Sequence, residues 1–482
     1  MSLVTNNAFT AVLSLIFGAV NKERKSTPFF QSSITLHTPN SDITPDKGIY
    51  LSSFTVNRDY EENIGDYMEA SVVIPLGTFM YDVYDYLENI ELTIRMRKQF
   101  NREDKNSNFD RQPVATERYK AVFLKDKNTA IPNTKEMSKE DYNQRLPITI
   151  SLQLIDRSVE ATRIKTTSSS FSMEGEVKAT AMLRNILSKE TANIMVDNKL
   201  PVDFIQVDDP DNDAPLNNVV IPSFTRIVEI PDYIQERSTG CYNDGLGCYI
   251  QKYTTDHKQY KKGMWVYPLY DPDKKDNADY NIYCPTDNAS SSNYPGSVFK
   301  DGVLSILAHK PTNVEDDKEA SVMSSGSGFR VADASQFMDK PVTIHKKGPI
   351  FERKKLNTEI VYKEREDGMN FAINRGNYFN IFALASDVIK RKSNFMTLQV
   401  SNLDHDVLAP GKVAEIHYIN TNARYEGDKK NRKMKRKGYL LKALITYTAN
   451  NNSPMFNLNT RFIDMTSHAT LRYCVGGEEG RE

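Results

Sequence analysis

Cysteine is scarce in this chain, tryptophan occurs once, and the two charge signs nearly cancel. Four cysteines in 482 residues, at positions 241, 248, 284 and 474, are too few for a scaffold built on disulfides. They fit assembly in a reducing cytoplasm with unpaired thiols, and a Cys241–Cys248 or Cys241–Cys284 bridge stays open. A formal net charge of -1 supplies no global attraction to nucleic acid or to an anionic membrane, so an electrostatic partner has to be sought locally. No apolar run reaches the roughly 20 residues of a bilayer span. The run from Ala8 to Val20 has no basic stretch before it and is followed by Lys22, Arg24 and Lys25. It reads as a docking helix or arm buried on a neighbouring subunit, with Phe9, Leu13 and Phe17 as contacts, and not as a targeting segment; no stable membrane insertion is expected.

Motifs of chemistry are missing too. The seven histidines, at 37, 257, 309, 345, 405, 417 and 468, form no metal-binding spacing with one another or with a Cys-x-x-Cys pair. Cys241, Cys248, Cys284 and His257 match no zinc pattern. Asp404, His405 and Asp406 make the best metal-like triplet, but lie just before a turn at 409–412 and read as a solvated loop. The acidic stretch Asp208 to Asp213 lacks the glycine and glutamate that complete a calcium loop, and reads as an exposed turn. Glycine pairs at 245/247 and 326/328 lack the helix and lysine of a phosphate cradle, and no nucleophile elbow is present. No carboxylate pair stands out as a general acid with its base. The expectation is no enzyme activity, no cofactor and no metal.

What is present is enough to fold. Hydrophobic residues make up 39% and charged residues 26%, ordinary values for globular protein, and the length suits about two to four domains. Period-two alternation predicts strands at 33–38, 49–56, 68–74, 90–97 and 146–154. The polar stretches 100–116 and 126–142 read as long hairpin loops. Such alternation gives sheets with one buried face. A helix is expected over 176–189, capped by Ser172, with Met182/Ile186 and Leu183/Leu187 stacked one turn apart. A second strand-rich region follows, with strands at 298–307, 341–345, 358–362, 397–403, 412–419, 438–447 and 455–463, and a helix over 381–391.

Two local features invite a contact role. The stretch from Gly240 to Asp271 concentrates glycine, tyrosine and the sole tryptophan, which suits rigid contact surface better than catalysis; Trp265, Tyr267 and Tyr270 are its candidate assembly residues. Lys429 to Lys437 is a dense basic run, read as a hairpin tip, with Lys433, Lys435 and Arg436 as candidate contacts. It has no interleaved aromatics of a single-strand binder.

The order of these features resembles the baseplate hub proteins of contractile-tailed bacteriophages, the T4-type hub family. Three groups of residues carry the likeness. The first is Phe54 to Tyr60 with Asp66 to Phe79. The second is Ile221 to Ser223, Pro231 to Gln235, Gly240 to Tyr242 and Met264 to Tyr270. The third is Ile381 to Arg391, Thr397 to Val400, Leu408 to Gly411 and Leu458 to Asp464. The resemblance runs over about residues 30–465, by pattern more than by strict motif, and the long loops at 100–116 and 310–338 depart from the simplest members. It implies a mainly β (α+β) fold: two tail-tube-like β-barrel or sandwich domains, at 29–160 and 310–467, flanking a mixed α/β region at 161–309. A helical arm at 1–28 and a tail at 468–482 complete the expected chain.

The function so implied is mechanical. A homotrimer with two tube-like domains per subunit would join a six-fold tail tube to a three-fold central spike. It would meet the tail tube protein, central spike protein, tape-measure protein and baseplate wedge proteins, and line a channel for transient passage of phage DNA. Location in the virion tail after assembly in the host cytoplasm follows. A tail-associated peptidoglycan hydrolase and a carbohydrate-binding β protein are the alternatives.

Overall fold

The computed structural model describes residues 29–99, 115–127, 146–210, 216–237, 241–242, 246–255, 259–269, 278–285, 296–300, 303–314, 329–330, 350–353, 360–363, 394–419, 433–449, 463–475 and 479–481. The arm at 1–28 with Phe9, Leu13 and Phe17, residue Tyr270, the strand expected at 341–345 and the helix expected at 381–391 lie outside these.

In chain order the main elements are β1 (Phe29–His37), β2 (Tyr50–Asp59), β3 (Tyr67–Pro75), β4 (Ile90–Gln99), β5 (Ala115–Phe123) and β6 (Pro147–Asp156). Then come α1 (Arg157–Ile164), α2 (Ala179–Ala192), β7 (Phe204–Val207), α3 (Ile230–Arg237), β8 (Leu246–Tyr253) and β9 (Lys261–Pro268). Last are β10 (Tyr280–Cys284), β11 (Ser297–Lys300), β12 (Val303–Leu307), β13 (His309–Val314), β14 (Asn394–Ser401), β15 (Val413–Ile419), β16 (Lys433–Ala449) and β17 (Ile463–Val475). The fold is mainly β, as expected, and one large mixed sheet dominates it.

That sheet closes on itself twice. The first closure runs β16–β2–β3–β6–β5–β4–β1–β17 and back to β16, every neighbour antiparallel. It is a barrel, and closure removes its edges. Alternate residues fill it: Met68, Ala70, Val72 and Ile74 of β3, Leu92 and Ile94 of β4, Ile150, Leu152 and Leu154 of β6 are all buried. β5 is absent from the sequence expectation because Thr116 to Arg118 and Lys120 break its apolar alternation, and its burial alternates only around Tyr119 and Ala121.

The second closure uses β10, β15, β16, β17, β14 and the bent segment β12–β13. β12 pairs with β10, the chain turns at the buried Ala308, and β13 pairs with β14, so the ring is completed by a covalent corner. Ala308 N donates to Tyr283 O at 2.9 Å across that corner. β10 lies parallel to both β12 and β15.

Both barrels therefore own β16 and β17. The first part of β16, Lys433 to Tyr439, pairs with β15, and Lys442 to Thr448 pairs with β2. β17 divides likewise, with Ile463 to Met465 on β1 and His468 to Val475 on β14. Between the two parts of β16 the register with β17 shifts at Leu440/Lys442. One extra residue there changes which numbers point inward, from Met434, Arg436 and Gly438 before it to Ala443, Ile445 and Tyr447 after it. A bulge also bends its strand, which suits the passage from one barrel to the next.

Strand pairing among the described residues runs across positions 160/161, 309/310 and 467/468. Strands from 280–307 pair with β15, the first barrel is closed by residues beyond 440, and β17 runs through position 467 as a single strand. Alternation shows that a segment is a strand and not where its partner lies, so a long-range closure of this kind leaves no local mark.

Between the barrels and the helices sits a small sheet, β8–β9–β7. Its two faces are both buried. Tyr249, Trp265 and Tyr267 join the barrel core, while Ile250, Met264 and Val266 join the core of α2 and α3. A strand covered on both sides reads as a continuous apolar run, which is what Met264 to Leu269 shows. The helix α2 presents Met182, Leu183, Ile186 and Leu187 to that second core. Its N-cap position is Lys178, and Ser172 lies in the strand Phe171–Val177 instead of capping it.

At Gly438 β16 lies close against β17: a Cβ there would lie 2.5 Å from Cys474 O and 2.9 Å from Val475 Cγ1. Gly438→Val is expected to destabilise the protein by about 1–3 kcal/mol through backbone displacement. Urea unfolding measures it, and an unchanged midpoint would contradict the described pairing.

Candidate functional site

One mouth of the first barrel is stoppered by two segments from elsewhere in the chain. Ile250, Gln251 and Lys252 of β8 and His405 and Asp406 of the β14–β15 connection line a cavity with Phe54, Asp66, Met68, Ile94, Met96, Glu117, Tyr119 and Asp156. The cavity is about 30 Å³, room for about one water. Here both barrels and the small sheet meet.

The stopper is held by charge. Period two places Phe54, Val56 and Arg58 on one buried face of β2, so a guanidinium reaches the barrel end with no exposure at all. Arg58 makes a bidentate pair with Asp66, Nε to Oδ1 at 2.7 Å and Nη2 to Oδ2 at 2.8 Å. Its Nη1 donates to His405 O and Leu408 O of the connection. A fork of five fixed donors can satisfy a carboxylate and two carbonyls together, which an ammonium could not do with the same geometry. Tyr249 Oη donates to Asp66 Oδ1 at 2.9 Å, Tyr60 Oη to Gln251 Oε1 at 2.8 Å and Tyr267 Oη to Tyr60 O at 2.8 Å. Gln251 Nε2 donates to Leu408 O.

A second ionic group ties β9 to the same rim. Lys262 Nζ lies 2.6 Å from Glu117 Oε1 and 2.8 Å from Asp156 Oδ2, and Lys252 Nζ is 3.2 Å from Glu117 Oε2. Asp156 also caps α1, accepting from Ser158 N at 2.7 Å. Burial disfavours charge on each of these groups, yet the pairing prevails. Asp66 is held below the usual carboxylate range by Arg58, Glu117 by Lys252 and Lys262, and Lys262 is raised by Asp156 and Glu117. Asp406 goes the other way: burial pushes its carboxyl up, against the pull of His405.

The triplet Asp404, His405 and Asp406, expected as a solvated loop, is instead a buried 3-10 turn, with Asp404 5%, His405 9% and Asp406 2% exposed. Two features make its burial tolerable: Asp404 Oδ1 accepts from Asp406 N at 3.0 Å, and Arg58 takes the turn's carbonyls. Asn402, at φ 59°, turns the chain sharply into it, a conformation asparagine tolerates. His405 Nδ1 lies 2.7 Å from Tyr447 Oη on β16.

The other sequence-derived residues are dispersed. Trp265 is buried, edge-on to Phe204 and Tyr253 at 5.1 and 6.0 Å, and Tyr267 is buried beside it. Neither offers surface to another subunit, because the strand that carries them is covered on both faces. The basic run is not a hairpin tip over its described part: Lys433 to Lys437 form the start of β16, paired with β15. Lys435 Nζ stands 3.6 Å from Glu415, while Arg436 points into the second barrel opposite Ile416 with Nε and Nη1 lacking a hydrogen-bond partner. Asp208 to Pro210 form a loop, and 211–215 lie outside the described residues. None of the four cysteines forms a disulfide, and burial pushes the Cys284 thiol up to about 12. Arg58, Asp66, Tyr249 and Gln251 escaped the sequence reading as a site, although the strand period already put Arg58 on the inward face.

No family model and none of the curated proteins matches the chain. Solved structures similar to it are tail, baseplate and VgrG-complex proteins. One is the 43 kDa tail protein of prophage MuSo2 from Shewanella oneidensis, at TM-score 0.42 and 8% identity over 93% of this chain and 100% of that one. Another is the lidded PdpA–VgrG complex of Francisella, at TM-score 0.34 and 10% identity over 99% of this chain and 57% of that one. A third is the phage P2 baseplate in its activated conformation, at TM-score 0.26 and 8% identity over 94% of this chain and 100% of that one. At such scores the likeness carries no argument about function.

Removing one member of the buried pair strands the other. Arg58→Met is expected to destabilise by about 3–5 kcal/mol, and Arg58→Met with Asp66→Leu by less than the single change. Trp265→Ala should remove about 3–5 kcal/mol. Both are read by urea unfolding. The pH dependence has a definite sign. Asp66 and Glu117 have depressed native pKa values, so their stabilisation is complete above the unfolded carboxylate value of about 4 and is lost as pH falls through the native values. Stability should drop as pH falls below about 5, less steeply in the double variant; equal slopes would contradict the assignment.

Proposed function

We propose that the chain is a structural subunit of a phage tail baseplate, a hub whose trimer presents six barrels. The observation that carries this reading is the pair of barrels fused through β16 and β17 in one chain. Fusion fixes the spacing and tilt of the two units, so three identical chains supply six similar blocks around a three-fold axis. One face of such a ring can continue a six-fold tail tube while the other accepts a three-fold spike. The resemblance of Phe54–Tyr60, Asp66–Phe79 and Met264–Tyr270 to hub proteins supports the same role.

Closed barrels suit a part that must bear force without exposing strand edges. A chain of net charge -1 could line a bore through which DNA passes without being gripped, since tight binding would need many phosphate contacts from lysine and arginine. The junction chemistry agrees: Asp66, Glu117 and Asp156 are committed to Arg58, Lys252 and Lys262, and the cavity admits no polymer. The tail tube protein, spike, tape-measure protein and wedge proteins are the proposed neighbours, with residues 1–28 as an arm on one of them.

Size-exclusion chromatography with light scattering on the full chain tests this. A trimer is expected; a monomer at all concentrations would contradict the hub reading.

A further inference from the structure

A run of acidic residues is common on proteins and says little by itself, but the Asp404–Asp406 turn has a second property. One ligand atom from each of Asp404, His405 and Asp406 lies within 4.8 Å of the others. Asp406 is 2% exposed and its Oδ1 accepts no hydrogen bond. The polar atom facing it is His405 Nε2 at 3.2 Å, close enough for a hydrogen bond but not aligned for one. A nitrogen and an oxygen at that spacing, converging without a hydrogen bond between them, match the ligand-to-ligand edge of a site with metal bonds of about 2.0–2.2 Å.

The other ring nitrogen sets the tautomer. Tyr447 Oη accepts from His405 N at 3.0 Å, lies 2.7 Å from His405 Nδ1 and 3.4 Å from Leu403 O. If the phenol proton goes to Leu403 O, Tyr447 accepts from both the backbone N–H and Nδ1–H, which uses its full capacity. Nε2 then keeps its lone pair in the space beside Asp406 Oδ1, the arrangement a ligating imidazole takes when a partner fixes its far side. Charge also favours a cation. Arg58 is paired with Asp66 and Lys252 with Glu117, and both reach the buried Asp406 carboxyl only from beyond ion-pair distance.

We propose that Asp404, His405 and Asp406 bind one divalent first-row transition metal ion, of the Zn²⁺ class, at the junction of the barrels. An imidazole among the donors favours such an ion over Ca²⁺ or Mg²⁺, which prefer all-oxygen shells. Bound there, the ion would fix the conformation of the 404–406 turn within the β14–β15 connection. The proposal is independent of any role in a tail.

The test uses the full chain, stripped with chelator and dialysed, and titrated by calorimetry with Zn²⁺, Co²⁺, Ca²⁺ and Mg²⁺ separately. One equivalent of Zn²⁺ or Co²⁺ should bind, with visible d–d bands for Co²⁺ and a raised Tm. Asp406→Asn and His405→Gln should each weaken binding by at least about tenfold. Absence of stoichiometric Zn²⁺ and Co²⁺ binding by the unaltered chain, tighter binding of Ca²⁺ or Mg²⁺, or binding unchanged in both variants would overturn the assignment. Should a variant fail to fold, the Co²⁺ spectrum of the unaltered chain decides: no bands, no site.

Discussion

The ladder between β16 and β17 is the constraint on which the rest depends. It runs from Gly438 opposite Val475 to Ala449 opposite Met465, and each strand gives its outer edge first to one barrel and then to the other. Neither barrel can close without it. A change that parts these two strands opens both rings at once, and no hinge of loop residues separates them. Two barrels joined by a flexible linker could tilt independently; two barrels sharing two strands cannot.

The buried charges follow from that geometry. A ribbon passing between two barrels leaves a mouth where loops and strand ends converge, and backbone carbonyls there need donors. Arg58 supplies them to His405 and Leu408 while Asp66 keeps it neutral in sum. A hydrophobic replacement could fill the space but could not tie a connection of the second barrel into the mouth of the first. The small sheet β8–β9 completes the closure, with its aromatic face on the barrels and ionic reach through Lys252 and Lys262. Specific geometry, more than added stability, is what such a network provides.

Much of the β content was legible because period-two alternation is a local property: β2, β3, β4 and β6 announce themselves through Phe54 and Val56, Met68 to Ile74, Ile90 to Met96 and Ile150 to Leu154. Partnership was not legible. Nothing near Thr446 indicates that it lies against Thr55, almost four hundred positions earlier. The basic run misled because Arg436 occupies an inward position, so Lys433 to Lys437 showed no apolar alternation. The Asp404–Asp406 turn misled because its burial depends on Arg58 and Tyr447, both distant in sequence. The aromatic run at Met264 to Leu269 was recognised as ordered packing, but its being covered on both faces removed Trp265 and Tyr267 from any subunit surface.

A shared strand pair makes one chain into two rigidly related barrels, and in the proposed hub three such chains would form a six-lobed collar with a three-fold axis. Electron-microscopy class averages of the purified assembly, viewed down its axis, test that claim most directly. Six lobes of density around a central bore, repeating in pairs, is the predicted image. Three lobes, an open chain of subunits, or a particle without a bore would contradict it.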